Sequence, residues 1–461
     1  MRSKLAQHGA GIFDTYELLE MLLYYTVVQK DTNPVAKRIL TQYGSLGALL
    51  STDEERLVEG GLSSSSAGII SLVGSLDGYC AATAGIPSPN TFDDYVATGE
   101  ATVDYFTANP DATAVMFLLD NSMRLLDVRG IDTPRFGSAG TKPRLFIDAV
   151  IRSGATVAVL AFCNKNGLLH PFDSDVATIK MVESELLGVG VSLVETYIVA
   201  GSRFAHAGPK STVRCSASRA MRRFNHTRML FEGELLQGEE IEERISAPKG
   251  TPPPAATLEF LQRLLSYSSA DKADEQAELL ASRYGSLDTV LSLSRDILVR
   301  AVGESSANII KLACAVSARG EMDRFIFGRP HTGAEIAKFL CAYLYGSPVE
   351  TVSMLSLDSR GRVLGVDTVG VGTVNASDIY ARRILECAMR READHVIIAH
   401  NHPFGSAEPS EEDVAATATL YTTCRRAGII LEKHVIVSGR DHFVLGIDND
   451  LGTVVRVGKS V

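Results

Sequence analysis

The sequence predicts an α/β chain of the α+β kind, built as two repeats, each a small helical domain followed by a mixed β-sheet flanked by helices. Three observations carry that expectation. The chain has 461 residues, too many for one ordinary domain. Short motifs recur along it at a nearly constant spacing. Within each repeat, apolar residues change from helical to strand-like periodicity.

The repeat is read from matching segments. Tyr43-Gly44-Ser45-Leu46 recurs as Tyr284-Gly285-Ser286-Leu287, an offset of 241. Phe117-Leu118-Leu119-Asp120 lines up with Leu355-Ser356-Leu357-Asp358 at 238. The same 238 pairs Pro171 with Pro409, Asp175 with Asp413 and Gly201 with Gly439. A period this long means duplicated domains rather than a solenoid. Residues 232–256 are acidic, through Glu239-Glu-Ile-Glu-Glu, and then proline-rich at Pro252-Pro-Pro, which reads as a linker. The expected boundaries are 1–84 (helical), 85–231 (sheet), 232–256 (linker), 257–328 (helical) and 329–461 (sheet).

The elements follow from periodicity. Residues 15–84 carry short helical patterns such as Leu18, Leu19, Met21, Leu22 and Leu23, and the stretch from Leu258 to Ser317 repeats them. In the last domain Thr351–Leu357 is a strand, Asp358-Ser-Arg-Gly a turn and Val363–Thr368 its hairpin partner. Asp378–Arg391 is a helix, His395–His400 a buried strand, Ser410–Ala427 a helix, and Ile429–Val437 begins another strand. In the first repeat the matching apolar strand is Thr156–Ala161.

Composition bounds the function. The chain is 45% hydrophobic and 22% charged, with a net charge of −10. An acidic chain is a poor general binder of phosphate backbone unless basic residues cluster. No apolar run reaches the ~18–20 residues of a membrane span. The N-terminus lacks a signal-peptide apolar core. Seven scattered cysteines without Cys-x-x-Cys predict reduced thiols and a cytoplasmic protein.

The segment with chemistry in it is His400-Asn-His402-Pro403-Phe-Gly405, followed by Ser410-Glu-Glu-Asp413. Side chains alternate along a strand, so His400 and His402 share a face if extended geometry persists past Ala399. Asp413, in the first turn of the next helix, can reach back to them. Two imidazoles and a carboxylate leave the fourth position of a tetrahedral Zn²⁺ open. A bland alternative exists: Ser410-x-x-Asp413 is also a helix-capping arrangement.

This string resembles the JAMM (MPN+) signature, His-x-His followed by Ser-x-x-Asp, and more closely the RadC-type bacterial branch. Glu17-Leu-Leu-Glu-Met-Leu-Leu23 and Tyr43-Gly-Ser-Leu resemble the helix-hairpin-helix-like N-terminal part of RadC proteins. The resemblance implies one zinc ion per chain held by His400, His402 and Asp413. It implies Glu350 as the general base that takes a proton from the attacking water, and Ser410 as a donor to the tetrahedral oxyanion. It implies hydrolysis of a peptide or isopeptide bond in a substrate it does not identify.

The first repeat serves as an internal control. At offset 238, Glu350 meets Ala112, His400 meets Phe162, His402 meets Asn164, Ser410 meets Phe172 and His434 meets Thr196. Only Asp413 keeps its match, Asp175. The first repeat is therefore expected to be a pseudo-enzyme domain that packs against the second or binds a protein partner or the substrate. His170 reads as a surface residue. Two rival functions remain: a non-catalytic scaffold, and a DNA-associated protein. The DNA reading would use the turns at Gly60-Gly61 and Val302-Gly303 or the basic cluster Lys210, Arg214, Arg219, Arg222, Arg223 and Arg228. The turns lack a full Gly-x-Gly and the cluster reads as a solvated helix face, so DNA is the lesser alternative.

Overall fold

The computed structural model describes residues 13–27, 31–83, 90–131, 143–207, 220–228, 252–347, 349–372, 377–403, 407–448 and 453–458. They fall into two compact units, Met1–Pro87 with Pro253–Val461, and Ser88–Pro252. Among the described residues no helix is long and apolar enough to cross a membrane.

In the first unit, α1 (Thr15–Leu23), α2 (Asn33–Tyr43), α3 (Leu46–Leu50), α4 (Glu54–Glu59), α5 (Ser64–Gly74) and α6 (Leu76–Thr83) form a helical block. Its core is the stripe the periodicity marks, with Leu18, Leu19, Leu22 and Leu23 buried. The recurring Tyr-Gly-Ser-Leu has a physical cause. Gly44 ends α2 at φ 82°, its N–H donating to Leu40 O. Ser45 then caps α3, accepting from Ala48 N at 3.0 Å, and Leu46 enters the core. Only glycine adopts that φ without strain, and serine is a favoured N-cap.

The second unit, Ser88–Pro252, is built on a five-stranded sheet. Its elements are α7 (Tyr95–Ala108), β1 (Ala114–Leu119), β2 (Leu125–Ile131), α8 (Pro143–Ser153), β3 (Val157–Cys163), α9 (Asp173–Gly188), β4 (Ser192–Ala200) and β5 (Arg203–His206), with residues 220–228 helical. The strand order is β2-β1-β3-β4-β5. Val115, Phe117, Val157, Val159 and Ala161 form one core with Tyr95, Phe106 and Phe224. Strand alternation turns Ala158, Leu160 and Phe162 to the other face.

The described part of the basic cluster is the expected solvated face at Arg222 and Arg223, but not at Arg228. Arg228 is largely buried and pairs with the buried Glu195 at 3.3 Å. Glu195 also takes a hydrogen bond from His206 Nδ1 at 2.5 Å. A buried carboxylate needs such partners, so this arginine is spent on structure. Arg222 and Arg223 are both exposed, and Arg223 lies 3.5 Å from Asp93. Lys210, Arg214 and Arg219 lie outside the described residues.

The chain then returns to the first unit. A second helical block comprises α10 (Ala255–Ser266), α11 (Ala273–Tyr284), α12 (Leu287–Ser292) and α13 (Arg295–Arg324). Gly285 (φ 74°) and Ser286 repeat the roles of Gly44 and Ser45. The two turns named for the rival DNA reading are also alike: Gly61 has φ 91°, and Gly303, at φ 83° and ψ 169°, breaks α13. The two blocks pack on each other reciprocally. Leu46 N donates to Asp323 Oδ2 at 3.2 Å, and its counterpart Leu287 N donates to Thr83 Oγ1 at 3.2 Å. Gly47 permits this approach, since a Cβ there would lie 2.7 Å from Gly320 O.

After α14 (Gly333–Leu344) come β6 (Thr351–Leu357), β7 (Val363–Val371), α15 (Ser377–Arg390), β8 (His395–Asn401), α16 (Glu411–Arg426), β9 (Ile430–Ser438), β10 (Asp441–Asp448) and β11 (Thr453–Gly458). The sheet order is β11-β10-β9-β8-β6-β7. Val352, Met354, Val396 and Ile398 face α15 and α16, while Leu355, Leu357, Ile397 and Ala399 face α14. β6 and β8 thus contribute to two cores, one on each face, and β8 is the buried strand expected of it.

The two sheets share connectivity and register. Ala114 pairs with Phe162 as Val352 pairs with His400, and Leu160 pairs with Thr196 as Ile398 pairs with His434. Both also shift register at the same step of the parallel pair, between Ala158 and Val159 and between Val396 and Ile397. The hairpin turns match in detail. Asp120 Oδ1 accepts from Ser122 N and Arg124 N, and Asp358 Oδ1 accepts from Arg360 N and Arg362 N.

Candidate metal centre

The strand–loop–helix path from β8 to α16 builds the site. His400, at the end of β8, continues the face of Val396 and Ile398 that lies under α16. His402 follows the strand, and its N–H donates to Val437 O at 2.7 Å, so the extended path persists. The two imidazoles therefore point the same way, with their Nε2 atoms 3.0 Å apart. Asp413 is the third residue of α16 and reaches back: its Oδ1 lies 3.2 Å from His400 Nε2 and its Oδ2 3.5 Å from His402 Nε2. Glu350, just before β6, places Oε1 3.7 Å from His400 Nε2. One ligand atom from each of the four residues lies within 4.8 Å of the others.

These spacings fit an ion. Ligands at ~2.0–2.2 Å in a tetrahedron stand about 3.3–3.6 Å from one another, near the 3.0, 3.2 and 3.5 Å separations among His400, His402 and the two carboxylate oxygens of Asp413. Their chemistry, two neutral imidazoles and one carboxylate, suits zinc.

Electrostatics separates the two carboxylates. Burial works against ionising Asp413, but hydrogen bonds to His400 and His402 hold its carboxyl well below the usual range. Glu350 goes the other way. Burial raises it, and the nearby histidines only partly offset that. Asp413 is thus a standing anion and Glu350 the better proton acceptor of the two.

Behind the site runs a directed chain of hydrogen bonds. His400 Nδ1 is 2.8 Å from His434 Nε2, His434 Nδ1 is 2.6 Å from Thr417 Oγ1, and Thr417 donates to Asp413 O at 2.6 Å. Thr417 has one proton and gives it to the carbonyl. It must therefore accept from His434 Nδ1–H, which leaves His434 Nε2 to accept from His400 Nδ1–H. His400 Nε2 then carries its lone pair toward the other ligands, the tautomer a metal requires. Burial lowers His434 to about 3, so it stays neutral and able to accept.

Ser410 is the N-cap of α16. Its hydroxyl accepts from Asp413 N at 3.0 Å and donates to Asp413 Oδ2 at 2.7 Å. The helix-capping arrangement is therefore present. Its single proton is engaged by Asp413 here, so a donor role toward substrate requires rotation of Oγ.

The first sheet holds no such group among the described residues. Phe162 occupies the position of His400, fully buried. Asn164 stands for His402, and its Nδ2 donates to Leu168 O at 2.7 Å. Asp175 survives at the third position of α9, accepting from Phe172 N at 3.1 Å as Asp413 accepts from Ser410 N at 2.7 Å. His170 is exposed, as expected.

The RadC-like JAB domain family matches residues 331–449. An UPF0758 protein of Marinomonas sp. (strain MWYL1) is 30% identical over 177 residues, 38% of this chain and 75% of that protein. One from Variovorax paradoxus (strain S110) is 29% identical, covering 40% of this chain and 84% of its own length. One from Finegoldia magna is 33% identical over 29% of this chain and 58% of its own. The chain belongs to the RadC-like family. JAB domains as a class include metal-dependent hydrolases, and this RadC-like protein carries a Glu, His, His and Asp group able to hold a metal ion.

Sequence reasoning singled out all four of these residues and set His434 beside them in the comparison of the two repeats. It did not find Thr417. The signal was present, because Thr417 lies four residues after Asp413, one turn along the same helix face.

Proposed function

We propose that this RadC-like protein is a zinc-dependent hydrolase acting on a peptide or isopeptide bond. The observation that carries the reading is the convergence of Glu350, His400, His402 and Asp413 within 4.8 Å. His400, His402 and Asp413 would hold the ion, which when bound supplies Lewis acidity and lowers the pKa of a coordinated water. Glu350, raised by burial, takes the proton from the attacking water and returns it to the leaving amine. The Thr417–His434 pair fixes the ring of His400. Ser410 supports the oxyanion after releasing Asp413.

We also propose that the unit Ser88–Pro252 is a degenerate duplicate whose role is to bind a protein partner or the substrate. Shared strand order and register support a common origin. The replacement of His400 by a buried Phe162 supports the loss of metal chemistry.

Metal content by plasma mass spectrometry tests the reading. The expected result is about one zinc per chain, as one open three-ligand site requires, lost in His402→Ala. Absence of metal from the wild type after reconstitution with zinc would overturn it.

A further inference from the structure

Asn401 lies between the two histidines, yet its side chain does not face them. By alternation it points to the α14 face of the sheet. It is 4% exposed, and there it meets the segment that leads into β6. Its Oδ1 accepts from Thr351 N at 2.8 Å, and its Nδ2 donates to Val349 O at 3.2 Å. A longer contact runs from Nδ2 to Ser347 O at 3.5 Å. The groups it grips are the carbonyl before Glu350 and the amide after it. The carbonyl of Glu350 itself accepts from Gly372 N at 2.8 Å. The peptide groups on both sides of the general base are therefore fixed from two directions.

We propose that Asn401 is a positioning residue for Glu350, an inference that rests on the hydrolase reading above. The side-chain amide suits the task because it presents a donor and an acceptor together. One must meet a carbonyl and the other an N–H, which also fixes which atom is oxygen. Aspartate keeps the acceptor but sets a carboxylate oxygen against Val349 O. Alanine keeps neither. One residue pair in the first sheet supports the coupling: Glu350 corresponds to Ala112 and Asn401 to Cys163, so base and clamp are both absent there. The cost of misplacing a base is large, because proton transfer requires hydrogen-bond reach.

Two measurements on the full chain test this. The first is hydrogen exchange of the Thr351 amide in Asn401→Ala and Asn401→Asp. The second is the visible absorption of cobalt-substituted protein, which responds to the groups beside the metal. We expect Asn401→Ala to keep its metal and to exchange Thr351 at least tenfold faster, with Asn401→Asp restoring most of the protection. We expect its cobalt spectrum to move as that of Glu350→Gln moves, with no further change in the double variant. Unchanged Thr351 exchange, or spectral changes that add in the double variant, would overturn the role of Asn401 alone. Failure of the wild type to take up zinc or cobalt would overturn the hydrolase reading, and this role with it. A thermal melt of each variant confirms that the comparisons are made on folded protein.

Discussion

The two sheets of this protein differ less in architecture than in what stands at a few positions on it. β1, β3, β4 and β5 repeat the order and pairing of β6, β8, β9 and β10. The residues they share have structural jobs in both. Asp120 and Asp358 each close a hairpin by accepting two backbone N–H groups. Gly201 and Gly439 each turn at positive φ. Asp175 and Asp413 each bind the backbone at the start of a helix. Among the positions that differ are those of Glu350, His400, His402 and Ser410, the residues proposed above to carry chemistry in the second sheet. Asp175 is the instructive case: it alone of the ligand set persists in the first sheet, and it alone has a second, structural use.

The comparison is broken most sharply at Glu350. Glu350→Gln removes the proton acceptor while leaving His400, His402 and Asp413 in place. Once a substrate is found, its hydrolysis rate should fall about 10²- to 10⁴-fold, with zinc content unchanged. Ala112→Glu, the reverse change in the first sheet, should confer nothing, because Phe162 and Asn164 supply no imidazole. Loss of zinc from Glu350→Gln would instead make Glu350 a ligand.

Phe162 and His400 occupy the same register position but serve different ends. Phe162 is fully buried, so Phe162→Ala should destabilise the unit Ser88–Pro252 by about 3–5 kcal/mol. Denaturant melts followed by a probe in that unit would measure it. His400→Ala should remove metal binding, and in metal-free protein it should cost less than the change at Phe162. Equal effects in the metal-free state would mean that the His400 side is packed as tightly as its counterpart.

The second sheet also depends on a residue behind its ligands. His434→Thr copies the first sheet, where Thr196 stands. It removes the acceptor for His400 Nδ1–H and should weaken zinc binding about 10- to 100-fold, read by chelator competition. Unchanged affinity would show that His400 keeps its tautomer without help.

Legibility in the sequence followed range. Tyr-Gly-Ser-Leu and Asp358-Ser-Arg-Gly were readable because each motif completes its own hydrogen bonds within a few residues. Strand β8 was readable because Val396–Ala399 is a short continuous apolar run, the pattern of a strand buried on both faces. The histidine pair was readable because an i, i+2 spacing on a strand fixes a common direction. The Thr417–His434 link was harder, since it needs the parallel register that sets His434 opposite Ile398. The role of Asn401 was hidden because it faces away from the site that its neighbours form. The reciprocal contact of Leu46 with Asp323 and Leu287 with Thr83 joins segments more than two hundred residues apart, beyond any local pattern.

Ser410 gives the smallest effect and the finest test of the comparison. Phe172 holds its place in the first sheet, and α9 begins there with no side-chain cap from that residue. Removing the hydroxyl by Ser410→Ala deprives Asp413 N of its acceptor and should cost about 1 kcal/mol of stability. It should also free Asp413 Oδ2 from one donor, leaving the backbone bond from Ser410 N at 2.7 Å to orient the carboxylate. Zinc should therefore stay bound. If hydrolysis falls far more than that stability loss explains, Ser410 acts on the oxyanion as well as on the helix. If the rate and the melt move together only slightly, Ser410 is a cap, and the α16 N-terminus differs from that of α9 by the two hydrogen bonds of the serine hydroxyl.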